Sequence, residues 1–495
     1  VSGTDRQRRE REDPIMGQIK SITRVDLFRP LIAALATLVA MACWHAASSE
    51  ARVAAGELPR IMVSPNGHFL ITEHGTPFFW LADTGWWMTG ISPAEVDLYL
   101  QKRAQQQFNV IQFHCGRLVK DYAGRLPFRG GDALAPDEEY WRNVDSIVSK
   151  AEDQGLYIAL VPLWGQEYGR LFGSDAEKAG EFGQWIGARY ASRTNVLWIA
   201  SGEHDSINGF KVPITAEQKA VLTAAARGIH EATGGRQLIT VHPGVARTSS
   251  SDFHSESWLD FNMLQSGHQM DSEAYGLAEN HALISHDYGL LPVKPVLDGE
   301  PIYEDTPDAI WIKRDIDKPR AGAAAVRRKA YWSVFAGACG HTYGNNNVYG
   351  FFAPPSPGFV QRLPEGPGNR ESWKTALDAP GGTQLVHLRA LIESRSFVTQ
   401  VPDLSLLASP PGGGNERMGA LRGDGYAMFY TPLGRSFSVH LDRLGWRHAM
   451  LTWFDPRSGQ SAPAGEVTTS GVHEFAAPSE SGDGNDWVLV LERRG

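Results

Sequence analysis

A chain of 495 residues with 42% hydrophobic and 21% charged residues has ordinary globular composition and exceeds one ordinary domain. Lys and Arg total 47 against 56 Asp and Glu, a formal charge of −9, and no extended basic run follows the first thirty residues, which argues against a nucleic-acid partner. The 15 tryptophans serve either a large aromatic core or a site that stacks on flat ligand faces.

Residues 1–15 have no apolar periodicity and read as an upstream extension, with Met16 as the expected start. Lys20, Arg24 and Arg29 precede the apolar run 31–43, and small residues follow it through Ala55. This is the pattern of a secretory signal cleaved between Ala47 and Gly56, with a secreted or periplasmic product. The run is too short for a comfortable bilayer crossing, so no stable membrane span is expected after cleavage. The lesser alternative is a lipid anchor on Cys43. Cys115 and Cys339, the two cysteines beyond it, are too few for a disulfide scaffold and are expected to be buried thiols.

Residues 56–77 read as a hairpin, with strands at 61–64 and 68–72 around the turn Pro65-Asn66-Gly67 and a second turn at Gly75. Eight short apolar runs follow, at 78–82, 109–113, 157–161, 195–199, 237–241, 261–264, 295–297 and 337–342, and they alternate with segments of helical period. One helix is marked by Ser92 as N-cap with Pro93 at its first position; another covers 139–154 and ends before Gly155. Eight such units over roughly 270 residues predict a (β/α)8 TIM barrel. An open doubly wound sheet is the structural alternative, but no Gly-x-Gly-x-x-Gly turn follows the first run.

The Pro- and Gly-rich stretch 354–368 predicts a long loop, 382–394 a final helix, and 410–414 (PPGGG) a surface loop near a domain boundary. Runs at 426–430, 436–441, 449–454 and 486–491 predict short strands of a small all-β sandwich. The expected domains are 1–55 (extension and signal), 56–402 (hairpin and barrel) and 403–495 (sandwich).

In a barrel of this kind the functional loops follow the C-terminal strand ends. Those ends carry Asp83, Trp86 and Trp87; His114; Trp164; Glu203 and His204; His242; His268; Glu300 and Tyr303; and His341. Glu203 follows the fourth run and Glu300 the seventh, positions that face each other across a barrel mouth. A lone strand-end glutamate is usually a solvated loop carboxylate, but a facing pair is the equipment for glycosidic bond cleavage. One carboxyl protonates the leaving oxygen while the other meets the developing oxocarbenium ion. A retaining mechanism needs the two about 5 to 5.5 Å apart; Glu300 is assigned as nucleophile and Glu203 as acid/base.

Asp83 is a candidate for binding sugar hydroxyls, with helix capping as its alternative. Trp86, Trp87 and Trp164 are candidates for stacking on sugar faces, with rim packing as theirs. His114, His204, His242, His268, His341 and Tyr303 are expected to hydrogen-bond hydroxyls or the catalytic carboxylates. No metal or other cofactor is expected, because no His-x-His pair stands early in the barrel. No Gly-x-Ser-x-Gly elbow follows any run, which speaks against a serine hydrolase.

Longer segments resemble the apiosidase-like glycoside hydrolase family: 79–84 (FWLADT), 99–103 (YLQKR) leading to 108–112 (FNVIQ), 259–263 (LDFNM) with 265–268 (QSGH), 294–301 (KPVLDGEP) with 303–305 (YED), and 331–337 (YWSVFAG) leading to 340–344 (GHTYG). The resemblance runs from about residue 60 to the C terminus. It implies the barrel, a β tail long labelled collagen-binding, and a retaining clan whose acid/base follows the fourth strand and whose nucleophile follows the seventh. The chain departs from that pattern at Ser201-Gly202-Glu203, where related sequences usually carry Gly-Gly-Asp; the extra methylene lengthens the acid's reach by roughly 1.5 Å. The implied protein is a secreted retaining glycosidase with a carbohydrate substrate from a plant- or bacterial-type polysaccharide. Its sugar is left open among apiose, another pentofuranose and a galactose-type glycan, and its oligomeric state is also open. The competing expectation is a non-catalytic adhesion protein that binds a matrix polymer through its tail.

Overall fold

The eight apolar runs become eight strands: β1 (Trp80–Thr84), β2 (Val110–His114), β3 (Tyr157–Val161), β4 (Val196–Gly202), β5 (Ile239–His242), β6 (Asn262–Gln265), β7 (Val296–Asp298) and β8 (Gly340–Tyr343). Every residue in them is buried, which is why each reads as a continuous apolar run rather than an alternating one. This computed structural model describes residues 57–165, 167–207, 210–211, 213–354 and 368–494. The signal-like run, Cys43 and nearly all of the 354–368 loop lie outside the described residues. Among the described residues no helix is long and apolar enough to cross a membrane.

Strands β5-β4-β3-β2-β1-β8 form one parallel arc, and β6 and β7 pair in parallel in a second. Single backbone bonds join the arcs: Asp260 N donates to Ile239 O (2.9 Å) between β5 and β6, and Cys339 N to Val296 O (2.9 Å) between β7 and β8. The result is the TIM barrel.

Around it lie α1 (Pro93–Gln105), α2 (Glu138–Asp153), α3 (Ala176–Tyr190), α4 (Ala216–Thr233), α5 (Asn280–Tyr288), α6 (Ala323–Phe335) and α7 (Pro380–Glu393). Between β5 and β6 the helix shrinks to one turn, Ser250–Phe253. Ser92 caps α1 as expected: its Oγ accepts from Glu95 N and its N donates to the Glu95 carboxylate.

The first strand departs from the expected 78–82. Pro77–Phe78 pairs with Leu70 and Ile71 as the third strand of the leading hairpin sheet, which splits the apolar run between two sheets. β1 therefore starts at Trp80 and takes in Asp83 and Thr84.

Beyond residue 400 a six-stranded antiparallel sheet runs in the order Val401–Pro402, Gly419–Gly423, Tyr426–Thr431, Trp487–Arg493, His448–Phe454, Ser461–Thr468, with a two-stranded pair, Phe437–His440 and Val472–Phe475, beside it. Four of these strands, 401–402, 419–423, 461–468 and 472–475, gave no apolar signal. Ser461–Thr468 is the clearest, an exposed edge strand that contains Pro463 and Gly465.

The tail is not a detached module. Period-two alternation sends Tyr426, Met428, Tyr430, Val488 and Val490 into the barrel's core and Ala427, Phe429, Leu489 and Leu491 into the tail's own. Helix α6 packs against the barrel-facing side of this sheet: Tyr331 stacks on Tyr430 (centroids 4.7 Å), and Trp332 Nε1 donates to Arg417 O (2.7 Å). Arg327 Nη2 meets Asp486 Oδ1 at 2.6 Å, with side chains 4% and 2% exposed. Arg327→Ala strands a buried carboxylate and is expected to cost about 3–5 kcal/mol of stability, measured by urea unfolding. A surface ion pair would cost under about 1 kcal/mol.

Candidate active site

β7 ends at Asp298, and the chain reaches Glu300 through Gly299, which packs closely on Met263: a Cβ there would lie 2.5 Å from Sδ and displace the thioether. Three bonds fix the backbone here, the first from Gly299 N to Leu264 O (2.8 Å). Gln112 Nε2 donates to Gly299 O (2.8 Å), and Gly267 N donates to Glu300 O (3.1 Å). Asp298 ties β7 to the β6 loop by accepting from Ser266 Oγ (2.7 Å), and burial pushes its carboxyl up to about 6.

The Glu300 carboxylate is only 5% exposed. His268 Nε2 donates to Oε1 at 3.0 Å, and His242 Nε2 lies 3.3 Å from Oε2. Burial alone would raise the Glu300 pKa, but hydrogen bonding and charge from His242 and His268 outweigh it and hold the group well below the usual carboxylate range. His242 responds in the opposite sense: burial lowers its pKa, but Glu300, then Glu203 and Asp298, raise it above the ordinary imidazole value. The pair favours an ionised Glu300 beside a proton-holding His242.

Glu203 follows β4 directly and has a φ of 42°, in the left-handed region that a residue with a side chain occupies at a cost of about 1–3 kcal/mol. The preceding Gly202 is obligatory, since a Cβ there would stand 2.0 Å from the Trp164 ring. Gly165 N donates to Gly202 O (2.6 Å) and Gly202 N to Leu163 O (3.0 Å), so the β3 and β4 loops are locked together. Gln265 Nε2 donates to Glu203 Oε1 (3.4 Å).

Both glutamates line one cavity of about 480 Å3, within the range of small-molecule sites. Trp86, Trp87, Trp164 and His114 wall one side. His114 stacks flat on Trp86 (5.0 Å, 7°) and meets the Trp164 ring edge-on at 4.5 Å. Neither His114 ring nitrogen has a protein hydrogen-bond partner and both are buried; burial, then the Arg117 and His242 charges, drive its pKa down. The Arg117 guanidinium covers Trp87 at 4.5 Å. Trp86 Nε1 donates to Tyr303 OH (3.0 Å), and the Tyr303 ring lies 4.4 Å from His268.

The cavity thus gathers Glu203, Glu300, Trp86, Trp87, His114, Trp164, His268 and Tyr303 from the expected set. His242 stands behind Glu300 and touches its carboxylate without lining the cavity. Three expectations fail. Asp83 is fully buried, accepting from Tyr99 OH (2.6 Å) and Arg103 Nε (2.5 Å) of α1; because β1 runs through residue 84, its side chain points to the helix layer. His341 likewise meets Ser333 Oγ of α6 (3.2 Å), and burial pushes its pKa down to about 3. His204 is buried with Nδ1 3.3 Å from His242 O and Nε2 3.3 Å from Asp252 Oδ2, away from the cavity.

His204, Asp205 and Asp252 have the ligand types and spacing of a metal site. Arg247 already answers their charge, with Nε 2.6 Å from Asp205 and Nη2 2.9 Å from Asp252. The cavity also recruits residues outside the expected set: Arg117, Val245, Gln265, Thr306, Trp311, Arg314, Asn346 and Tyr349. Gln265 closes β6, and Arg117 and Asn346 stand in the loops after β2 and β8, so all three share the strand-end position of the expected set. Trp311 lies in a one-turn helix, Ile310–Lys313, on the long β7–α6 connection, and Arg314 caps that turn; so short an element has no period that marks them.

The family model "Apiosidase-like, catalytic domain" matches residues 64–399, and "Putative collagen-binding domain of a collagenase" matches 401–492. No curated protein matches the chain. Among solved structures, one described as a glycoside hydrolase is 31% identical with a TM-score of 0.78, covering 88% of this chain and 97% of its own. A glycoside hydrolase family 5 structure from Bacteroides vulgatus ATCC 8482 is 30% identical with a TM-score of 0.79, covering 88% and 95%. With a catalytic-domain match across most of its length and relatives at this identity, the chain belongs to the apiosidase-like glycoside hydrolase family.

Proposed function

We propose that the protein is a retaining glycoside hydrolase in which Glu300 attacks the anomeric carbon and Glu203 acts first as general acid and then as general base. The observation that carries this reading is a buried Glu300 carboxylate, held ionised by two histidines, in a cavity shared with Glu203. In the first step a Glu300 oxygen bonds to C1 as Glu203 passes its proton to the departing glycosidic oxygen. In the second, Glu203 takes a proton from water, the water oxygen bonds to C1, and Glu300 leaves as a carboxylate.

The histidines suit both steps. Their hydrogen bonds keep Glu300 anionic for attack and stabilise it again as the leaving group. Trp86, Trp87 and Trp164 offer faces for the sugar ring, and His114 packs against Trp86 and Trp164 and holds them in place. We take the substrate to be a glycan of plant or bacterial type with apiose or another pentofuranose as the released unit, and place the enzyme outside the cytoplasm on the strength of the signal-like run 31–43. An adhesion protein has no use for a nucleophile prepared in this way.

The test is stereochemical. Proton NMR at the start of hydrolysis, run on aryl furanosides and on plant and bacterial polysaccharides, is expected to show a first-formed sugar with the substrate's anomeric configuration; the opposite anomer would rule the mechanism out. A second result is expected from His268→Ala. Removing this donor raises the Glu300 pKa, and activity is lost as pH falls through that pKa, so the acidic limb of the kcat/KM profile moves to higher pH. At acid pH the loss is expected to be about tenfold or more, since a hydrogen bond to a charged group contributes about 1.5–3 kcal/mol.

A further inference from the structure

The strained Glu203 is flanked by two buried polar residues that face away from the cavity and are fastened to the β5 loop. Asp205 accepts from Gly244 N (2.5 Å) and pairs with Arg247 Nε (2.6 Å). His204 spans His242 O (3.3 Å) and Asp252 Oδ2 (3.3 Å), and Tyr168 OH donates to His204 O (3.2 Å). Arg247 closes the circuit through Nη2 to Asp252 Oδ2 (2.9 Å). His204 and Asp205 are each 1% exposed.

Burying a carboxylate and an imidazole, and half-burying a second carboxylate and a guanidinium beside them, is a poor way to fill space, because well-packed apolar side chains of similar volume often stabilise as well or better. A left-handed backbone at a residue with a side chain persists only where its surroundings over-determine it. Every anchor beyond Tyr168 lies in 242–252, the segment that also carries His242 against Glu300.

We propose that Asp205, His204, Asp252 and Arg247 are positioning residues that clamp the Glu203 backbone in its left-handed conformation and so aim the acid/base at the glycosidic oxygen. The inference rests on Glu203 being the acid/base. Loosening the clamp lets the backbone at residue 203 relax and misaligns the proton donor, while Glu300, held by His268 and Gln112, keeps its place. The chemical signature follows from this division: bonds whose departing group needs a proton slow down, and bonds whose departing group leaves unaided do not.

Asp252 is the member to change, since its side chain is 17% exposed and sits at the open end of the circuit. The experiment compares kcat/KM, which reports the first chemical step, for dinitrophenyl and phenyl glycosides of the sugar cleaved in the screen above. Asp252→Ala is expected to lose tenfold or more on the phenyl substrate and less than twofold on the dinitrophenyl one. Asp252→Asn, which keeps an acceptor oxygen for His204, is expected to recover part of that loss. Equal losses on both substrates, or none on either, overturn the clamp.

Glu203→Gln run alongside separates the two ideas. Leaving-group dependence in Glu203→Gln but not in Asp252→Ala removes the clamp alone, and its absence in Glu203→Gln removes the acid/base assignment itself. A readout free of substrate is the crystal structure of Asp252→Ala, in which the backbone at Glu203 is expected to leave the left-handed region. An unchanged φ overturns the proposal.

Discussion

Glu300→Ala is expected to lower kcat/KM by on the order of 10⁴-fold or more, with the chain folded and the cavity intact. The loss is large because the covalent route disappears. Glu300 is the cavity carboxylate met by His268 at 3.0 Å and by His242 at 3.3 Å, which hold it ionised for attack. The space left by the side chain admits a small anion, and azide or formate is expected to restore part of the activity. With azide the product carries the anomeric configuration opposite to the substrate, since one displacement replaces two. A variant with full activity, or a rescued product that retains configuration, would show that Glu300 is not the nucleophile. Removal of the carboxylate also leaves His242 and His268 facing an empty volume, so the variant's fold is to be checked by its thermal transition alongside the kinetics.

The second large effect is expected from Glu203→Gln. Loss of a positioned general acid costs about 10²–10⁴-fold, and here the cost should concentrate on substrates with poor leaving groups. Glutamine preserves the length of the side chain and the acceptor for Gln265, so the left-handed turn at 203 and the Trp164 contact at Gly202 are retained. Azide again reports the role, with opposite stereochemistry. It attacks the covalent intermediate in place of water, and the product keeps the substrate's configuration. The two glutamates are thus distinguished by the sense of the product, independently of how much activity each variant retains.

Much of this site was legible along the chain because the relevant rule is local: a polar residue just past a buried apolar run sits at a barrel mouth. Glu203, Glu300, His114, Trp164 and His268 all satisfy it and all line the cavity. The rule failed where strand ends were misplaced or the face was wrong. Asp83 lies inside β1 because Phe78 pairs with Leu70 in another sheet, and His341 lies inside β8; both are turned toward the helices. His204 follows a strand end as required, yet the left-handed turn at Glu203 sends it back against Asp252. Trp311 and Arg314 show the opposite failure, since the one-turn helix that carries them is too short for a period to catch.

Residue order by itself determined the eight units, the α1 cap, the β tail and the strand-end placing of Glu203 and Glu300, because burial period, capping and turn preferences act over a few residues. Tertiary structure alone decided which side of each strand faces the cavity and which distant groups meet there. His242 and His268 tune Glu300 from separate strand ends, Gln112 reaches across the barrel to Gly299, and Asp486 of the tail answers Arg327 of the barrel. Such pairings depend on strand register and sheet closure, where a shift of one residue exchanges the cavity face for the helix face.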